Sequence, residues 1–133
     1  MYRQDLLLVE DAPDNLDLIL EVLRHRPCTV RTARSAAEAL ERLGPGEPLP
    51  AVILLDLEQG ALDLLGRIRS QTPAFRVPVV VLTGPEATGA QPARQANSFV
   101  LKPSDRAALA EKVGLVVDYW LKLNIAPGSL ATL

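Results

Sequence analysis

The stretch Leu6-Leu7-Leu8-Val9-Glu10-Asp11 consists of four apolar residues that end at two carboxylates. An apolar run without alternating polar residues is typical of a strand inside a parallel sheet that is covered on both faces. Three later runs share this pattern of apolar residues stopped by a polar one: Val52-Ile53-Leu54-Leu55 before Asp56, Val79-Val80-Val81-Leu82 before Thr83, and Phe99-Val100-Leu101 before Lys102. A mixed run at 28–33 is predicted to be an edge strand.

Helical patterns separate these runs. Residues 14–26 place apolar side chains on one helix face, and Ser35 with Glu38 forms a capping box for the next helix. Ser104 is predicted to cap the last helix. The segment 84–96 contains Pro85, Gly89 and Pro92, so the fourth helix of the alternation is predicted to be short or broken. The predicted fold is α/β, a doubly wound, flavodoxin-like parallel sheet of five strands in the order 2-1-3-4-5.

The composition bounds the class of protein. The chain has 133 residues, of which 48% are hydrophobic and 23% charged, with a net charge of −2. This predicts one domain over residues 1–124 with a C-terminal tail at 125–133. The near-neutral charge argues against nucleic acid or an anionic membrane as partner. A single cysteine excludes a disulfide framework, and no run resembles a membrane span or signal peptide, so we expect a cytoplasmic protein.

The polar residues that stop the strands are predicted to meet at one edge of the sheet, where ligands bind in such folds. They are Glu10, Asp11, Asp56, Thr83 and Lys102. Three carboxylates in one crevice repel each other unless a hard cation lies among them, and oxygen ligands favour Mg²⁺ or Mn²⁺. With a lysine and a hydroxyl opposite, the set suits phosphoryl transfer, in which an aspartate can be the nucleophile.

Four motifs at these strand ends resemble the response-regulator receiver domain of two-component signalling. They are Leu7-Leu8-Val9-Glu10-Asp11, Leu54-Leu55-Asp56-Leu57, Val81-Leu82-Thr83-Gly84 and Phe99-Val100-Leu101-Lys102-Pro103. The resemblance extends over the chain up to the tail. It implies that Asp56 accepts a phosphoryl group from a histidine kinase, and that Glu10, Asp11, Asp56 and the backbone carbonyl of Glu58 hold the Mg²⁺.

The same resemblance implies a switch beside the acceptor. Thr83 would bind a phosphoryl oxygen and move towards it, and Lys102 would pair with the phosphoryl group. Phe99 occupies the position of an aromatic ring that turns inward when the threonine moves. The peptide bond before Pro103 would be cis.

A narrower resemblance concerns residues 96–103 and the stretch Asp118-Tyr119-Trp120-Leu121 with its proline-containing tail. These resemble single-domain regulators that are paired with phytochrome-type histidine kinases in bacterial phytochrome pathways. The apolar face of the last helix is broader than one core-facing stripe. We therefore predict a homodimer built on the last helix and tail, with an interface that includes Val113, Val117, Trp120 and Leu121.

The sequence departs from the family after Asp56, where Leu57-Glu58-Gln59-Gly60 lacks the usual proline and forms a short loop. This departure bears on the Mg²⁺ affinity and on the rate of phosphoryl loss. The leading interpretation is a single-domain response regulator that is not an enzyme and signals through protein contacts. The alternative is a pseudo-receiver, an interaction module that is independent of phosphorylation. A third interpretation, a phosphatase on a similar fold, would need Glu58 as its second acid or base.

Overall fold

Strands and helices alternate along the chain in the computed structural model, which describes residues 4–84 and 96–123. The strands are β1 (Gln4–Glu10), β2 (Cys28–Ala33), β3 (Val52–Asp56), β4 (Val79–Thr83) and β5 (Ser98–Leu101). The helices are α1 (Pro13–Leu23), α2 (Ala36–Arg42), α3 (Ala61–Gln71) and α4 (Arg106–Asp118), and α4 continues into a π-helical turn, Tyr119–Leu123. All strand pairs are parallel, in the order β2-β1-β3-β4-β5, which confirms the predicted sheet.

The central strand β1 contributes to both layers of the core. Its residues from Leu6 to Val9 are fully buried. Leu7 and Val9 belong to the cluster that includes residues of α2 and α3, whereas Leu6 and Leu8 belong to the cluster that includes residues of α1 and α4. Because successive side chains of a strand point to opposite faces, a strand covered on both faces must be apolar throughout. This explains the continuous apolar runs.

Two predicted features lie outside the described residues. The short or broken helix between β4 and β5 falls on residues 85–95, and the tail falls on residues 125–133. Within the described part of the chain, the helices are too short or too polar for any of them to traverse a lipid bilayer.

Side-chain caps begin two of the helices. The Ser35 hydroxyl accepts the Glu38 N–H at 3.1 Å, as predicted, while the Glu38 carboxylate reaches the Arg34 N–H at 3.1 Å. The predicted cap of α4 at Ser104 is wrong, because Asp105 fills that role and accepts the Ala108 N–H at 2.8 Å. The helix begins at Arg106, so Asp105 is the residue whose carboxylate can reach the third helical N–H.

A salt bridge fixes α4 against α1. The Arg26 guanidinium donates to both carboxylate oxygens of Asp118, at 3.2 and 3.3 Å, and to the Val22 carbonyl at 3.1 Å. The hydrogen bond from Arg26 lowers the pKa of Asp118. Gly114 allows the close approach, because a Cβ there would lie 2.6 Å from Arg26 Nη2.

Three of the four residues predicted for the dimer interface lie in the core of the chain itself, which corrects that prediction. Val113, Val117 and Leu121 are buried in the chain's own core with Leu6 and Leu8. These three side chains are already covered by the sheet and α1, so they are not available to a second copy. Trp120 is partly buried against the same cluster.

Candidate functional site

The carboxyl ends of the strands surround a cleft of about 480 Å³. Glu10 ends β1 and Asp56 ends β3, and the two residues are paired directly across the strands. Thr83 ends β4, and Lys102 follows β5 immediately. The structure brings all seven predicted site residues to this cleft: Glu10, Asp11, Asp56, Glu58, Thr83, Phe99 and Lys102.

A short ion pair lies at the centre of the cleft. Lys102 Nζ donates to Asp56 Oδ1 at 2.7 Å, and the Asp56 side chain is only 3% exposed. A charge-assisted bond of this length in a poorly hydrated position is stronger than an exposed surface pair. Lys102 makes this contact although its peptide bond to Pro103 is trans, which contradicts the cis bond implied by the family resemblance.

Glu10 and Asp56 place two carboxylates side by side away from water. Oε1 of Glu10 and Oδ2 of Asp56 are buried without a hydrogen-bond partner when both groups are ionised. Burial, the hydrogen bond with Asp56 and the negative charge of Asp56 raise the pKa of Glu10 from 4.5 to about 9, against the opposing effects of the Ala12 N–H and Lys102. One proton on Glu10 satisfies both unpartnered oxygens, because a protonated carboxyl can donate.

The proton shared by Glu10 and Asp56 makes the stability of the metal-free protein depend on pH. The pKa of Glu10 is higher in the folded than in the unfolded chain, so the folded state binds more protons between pH 4.5 and about 9. The free energy of unfolding therefore falls as the pH rises through this window. We expect Glu10→Gln, whose amide donates to Asp56 at every pH, to be about 1–3 kcal/mol more stable than wild type at pH 8.

Urea denaturation in EDTA at pH 5 and pH 8 measures this difference. The matched control is Glu21→Gln, which removes an exposed carboxylate from α1. An advantage of Glu10→Gln that is equally large at pH 5 would contradict the assignment of the proton to Glu10.

Asp11 and the loop after Asp56 are joined across the mouth of the cleft. The Glu58 N–H donates to Asp11 Oδ2 at 3.2 Å. In the described residues, no three His, Cys, Asp or Glu side chains are gathered as a metal centre. The contact between Glu58 and Asp11 joins the loop after β3 to the residue that follows β1.

The donor set nevertheless fits a hard divalent cation. The unpartnered oxygens of Glu10 and Asp56 are buried at the cleft, and Asp11 adds a third carboxylate at its mouth. Such a donor set, made up of carboxylate oxygens, favours Mg²⁺ or Mn²⁺ over zinc. A cation there would take over the role of the shared proton.

The predicted switch residues lie at the opposite side of the cleft. Among the described residues, the Thr83 hydroxyl makes a long contact to the Gly84 carbonyl, at 3.4 Å. The Phe99 side chain is 37% exposed and lies on the cleft lining. In the part of the chain that the structure describes, the Thr83 hydroxyl is thus held by a long contact and the Phe99 ring is partly open to solvent.

A contact that was not predicted from the sequence holds the first turn of α1 beside the cleft. Asn15 lines the cleft, and Arg106 of α4 donates to Asn15 Oδ1 at 3.5 Å and to the Asp14 carbonyl at 2.9 Å. Asn15 sits within the first turn after the Glu10-Asp11 pair, and this position is the only sequence signal that could have suggested it.

Comparisons with known proteins agree with this geometry. The family model described as the response regulator receiver domain matches residues 6–114. A probable methanogenesis regulatory protein, FilR2 of Methanothrix harundinacea, is 33% identical over 92% of this chain and 87% of its own length. Two solved structures are similar over 99% of their own chains. The phosphorylated cyanobacterial phytochrome response regulator RcpA has a TM-score of 0.81 and 27% identity over 95% of this chain. The Mn²⁺-bound response regulator Rcp1 has a TM-score of 0.77 and 26% identity over 93%.

Proposed function

The chain belongs to the response regulator receiver domain family, and on that basis we propose that it accepts a phosphoryl group on Asp56 from a histidine kinase. The observation that carries the proposal is the environment of Asp56. Its carboxylate is buried at the end of β3 and accepts from Lys102 through Oδ1 at 2.7 Å, while Oδ2 lies outside that ion pair and shares the Glu10 proton in the metal-free protein. With a cation in place of that proton, Oδ2 would be the nucleophile, while Oδ1 is held in place.

The residues of the cleft support a direct transfer. The free oxygen of Asp56 forms a bond to phosphorus as the P–N bond to the kinase histidine breaks, and the imidazole leaves with the bonding electrons. Lys102 already lies beside Asp56, so its ammonium can pass from the carboxylate to the phosphoryl oxygens. Glu10, Asp11, Asp56 and the Glu58 carbonyl would hold Mg²⁺ or Mn²⁺, which neutralises charge on the transferred group.

Thr83 and Phe99 are proposed to report the modification. Among the described residues, the Thr83 hydroxyl contacts the Gly84 carbonyl at 3.4 Å, a long contact that it can exchange for a phosphoryl oxygen. A shift of Thr83 leaves space into which the half-exposed Phe99 ring can turn. The change would reach other proteins as an altered surface around β4 and β5.

The similarity to phytochrome response regulators supports a proposal for the partner. RcpA and Rcp1 are similar over nearly their whole length, and RcpA is named as a phytochrome response regulator, so we propose a phytochrome-type histidine kinase as donor. The protein would act in the cytoplasm, through protein contacts. It would not be an enzyme: it takes up one phosphoryl group per chain and, at most, catalyses its own phosphorylation and dephosphorylation. The assembled pair of Asp56 and Lys102 counts against a pseudo-receiver.

Incubation with acetyl phosphate and Mg²⁺, followed by measurement of the intact mass, tests the proposal. Wild type should gain the mass of one phosphoryl group and no more. Turnover of a small phosphate ester beyond one equivalent would contradict the statement that the protein is not an enzyme.

We further propose that two copies pair through the outer side of the last helix. Leu115 is 64% and Tyr119 is 48% exposed there, one helical turn apart, and the Tyr119 ring packs edge-on against Trp120 with centroids 5.2 Å apart. Light scattering at micromolar concentration should give a dimer for wild type and a monomer for Leu115→Glu. The control Ala37→Glu, on the exposed side of α2, should remain dimeric. A wild-type monomer with and without phosphorylation would overturn the dimer.

A further inference from the structure

The peptide unit between Leu101 and Lys102 is bound at both of its polar ends. Its N–H, from Lys102, donates to the Thr83 carbonyl of β4 at 2.7 Å. Its C=O, from Leu101, accepts a hydrogen bond from Lys112 Nζ of α4 at 2.7 Å. Lys102 continues from this unit to Asp56, so one short chain of contacts runs from the last helix to the centre of the cleft.

The bond from Lys112 restrains the side of the peptide unit that faces away from β4. In a trans peptide the N–H and the C=O point in opposite directions. β5 is the edge strand of the described sheet, so its inner N–H reaches β4, while the outer carbonyl of Leu101 has no further strand beside it among the described residues. A lysine ammonium from α4 fills that position with a charge-assisted bond, which is stronger than a bond between neutral groups.

We propose that Lys112 is a positioning residue for Lys102, and that it acts by fixing the orientation of the Leu101–Lys102 peptide. Without the outer bond, the peptide is held from the Thr83 side alone and can rotate about the strand direction. The Lys102 side chain is attached directly beside this peptide unit, so such a rotation displaces the Lys102 ammonium from Asp56. The role in phosphorylation rests on the proposed function of the cleft, whereas the role in holding the peptide does not.

The helix that carries Lys112 also carries the exposed Leu115 and Tyr119. They follow Lys112 at i+3 and i+7, on neighbouring positions of one helix side. The contact between Lys112 and the Leu101 carbonyl therefore links the outer surface of α4 to the peptide unit that precedes the Lys102 side chain.

The test compares Lys112→Met, Lys112→Arg and the control Lys122→Met in the full chain. Lys122 lies on the π-helical turn after α4 and pairs with Asp118, away from the cleft. With saturating acetyl phosphate and Mg²⁺, we expect Lys112→Met to be phosphorylated about tenfold more slowly than wild type, the size of effect that a small misplacement of a charged group produces. Lys112→Arg should recover most of the rate, and Lys122→Met should match wild type.

Amide hydrogen exchange gives a readout that does not depend on phosphorylation. The Lys102 N–H should exchange faster in Lys112→Met, while the Leu7 N–H in the buried strand β1 keeps its wild-type protection. If wild type is not phosphorylated at all, the proposed function fails, and the exchange of Lys102 still decides whether Lys112 holds the peptide. Wild-type exchange at Lys102 together with a wild-type rate in Lys112→Met overturns the proposal, as does equal acceleration at Lys102 and Leu7.

Discussion

Asp56→Asn should remain at its unmodified mass under conditions in which wild type gains one phosphoryl group. The amide lacks the anionic oxygen that attacks phosphorus, so we expect incorporation to fall to background. The variant should fold, because the substitution removes one of two adjacent buried carboxylates. It also removes the hydrogen bond with Asp56 and its charge, two of the causes that raise the pKa of Glu10, leaving burial as the main one.

The matched control for this experiment is Asp63→Asn. Asp63 lines the same cleft from the first turn of α3, but it is exposed and lies outside the carboxylate cluster. It should be phosphorylated like wild type. If Asp56→Asn gained the phosphoryl group as fast as wild type, the acceptor would have to be another residue.

Lys102→Met should lower the stability of the metal-free protein more than any other single change in the cleft. The substitution keeps the apolar stem and removes the only lysine or arginine within hydrogen-bonding distance of Asp56 among the described residues. The negative charge of the buried pair of Glu10 and Asp56, which shares one proton at pH 8, is then left without a counter-charge. We expect a loss of about 3 kcal/mol in the free energy of unfolding at pH 8, at the lower end of the cost of breaking a buried pair.

The pH dependence separates this electrostatic cause from a loss of packing. Without the ammonium, the carboxylate pair binds a second proton more readily as the pH falls, so the folded variant takes up more protons than folded wild type between pH 8 and pH 5. The loss for Lys102→Met should therefore be smaller at pH 5 than at pH 8. Mg²⁺ should restore part of the stability at pH 8, since a cation can replace the missing charge. Urea denaturation with EDTA or Mg²⁺ provides both measurements, with the exposed Lys122→Met as control. A loss of equal size at both pH values would attribute the effect to packing.

Much of the fold could be predicted because the central strands are buried on both faces. Continuous apolar runs as short as Leu6 to Val9 and Val52 to Leu55, each bounded by polar residues, favour buried strands over helices. The site was predictable for the same reason. Each strand stops at a polar residue, and parallel strands end at one edge, so Glu10 and Asp56 had to lie close together in that sheet order.

The last helix was harder to predict because apolar residues cover more than one of its faces. Leu109, Val113, Val117 and Leu121 are buried, Val116 and Trp120 are partly buried against the same cluster, and Leu115 and Tyr119 are exposed. The chain continues into the π-helical turn at Tyr119–Leu123, and Leu121 stays in the core. Periodicity alone therefore assigned core residues to an interface.

Contacts made by backbone groups could not be predicted from the sequence either. Nothing in the order of residues indicates that the Glu58 N–H meets Asp11, or that Lys112 reaches the Leu101 carbonyl. Both depend on how a loop or a helix is placed after the sheet has formed. The residue types at the cleft could be predicted, whereas the hydrogen bonds that hold these residues in place could not.

The salt bridge between Arg26 and Asp118 joins residues that are 92 positions apart, and this separation affects how the chain folds as it is synthesised. The side chains of α4 complete the layer over Leu6 and Leu8, and α4 is made after every strand of the sheet. Until it emerges, one face of the sheet is only partly shielded from water by α1. The nascent chain therefore carries an open apolar face through most of its synthesis, and a contact between distant parts of the sequence closes it.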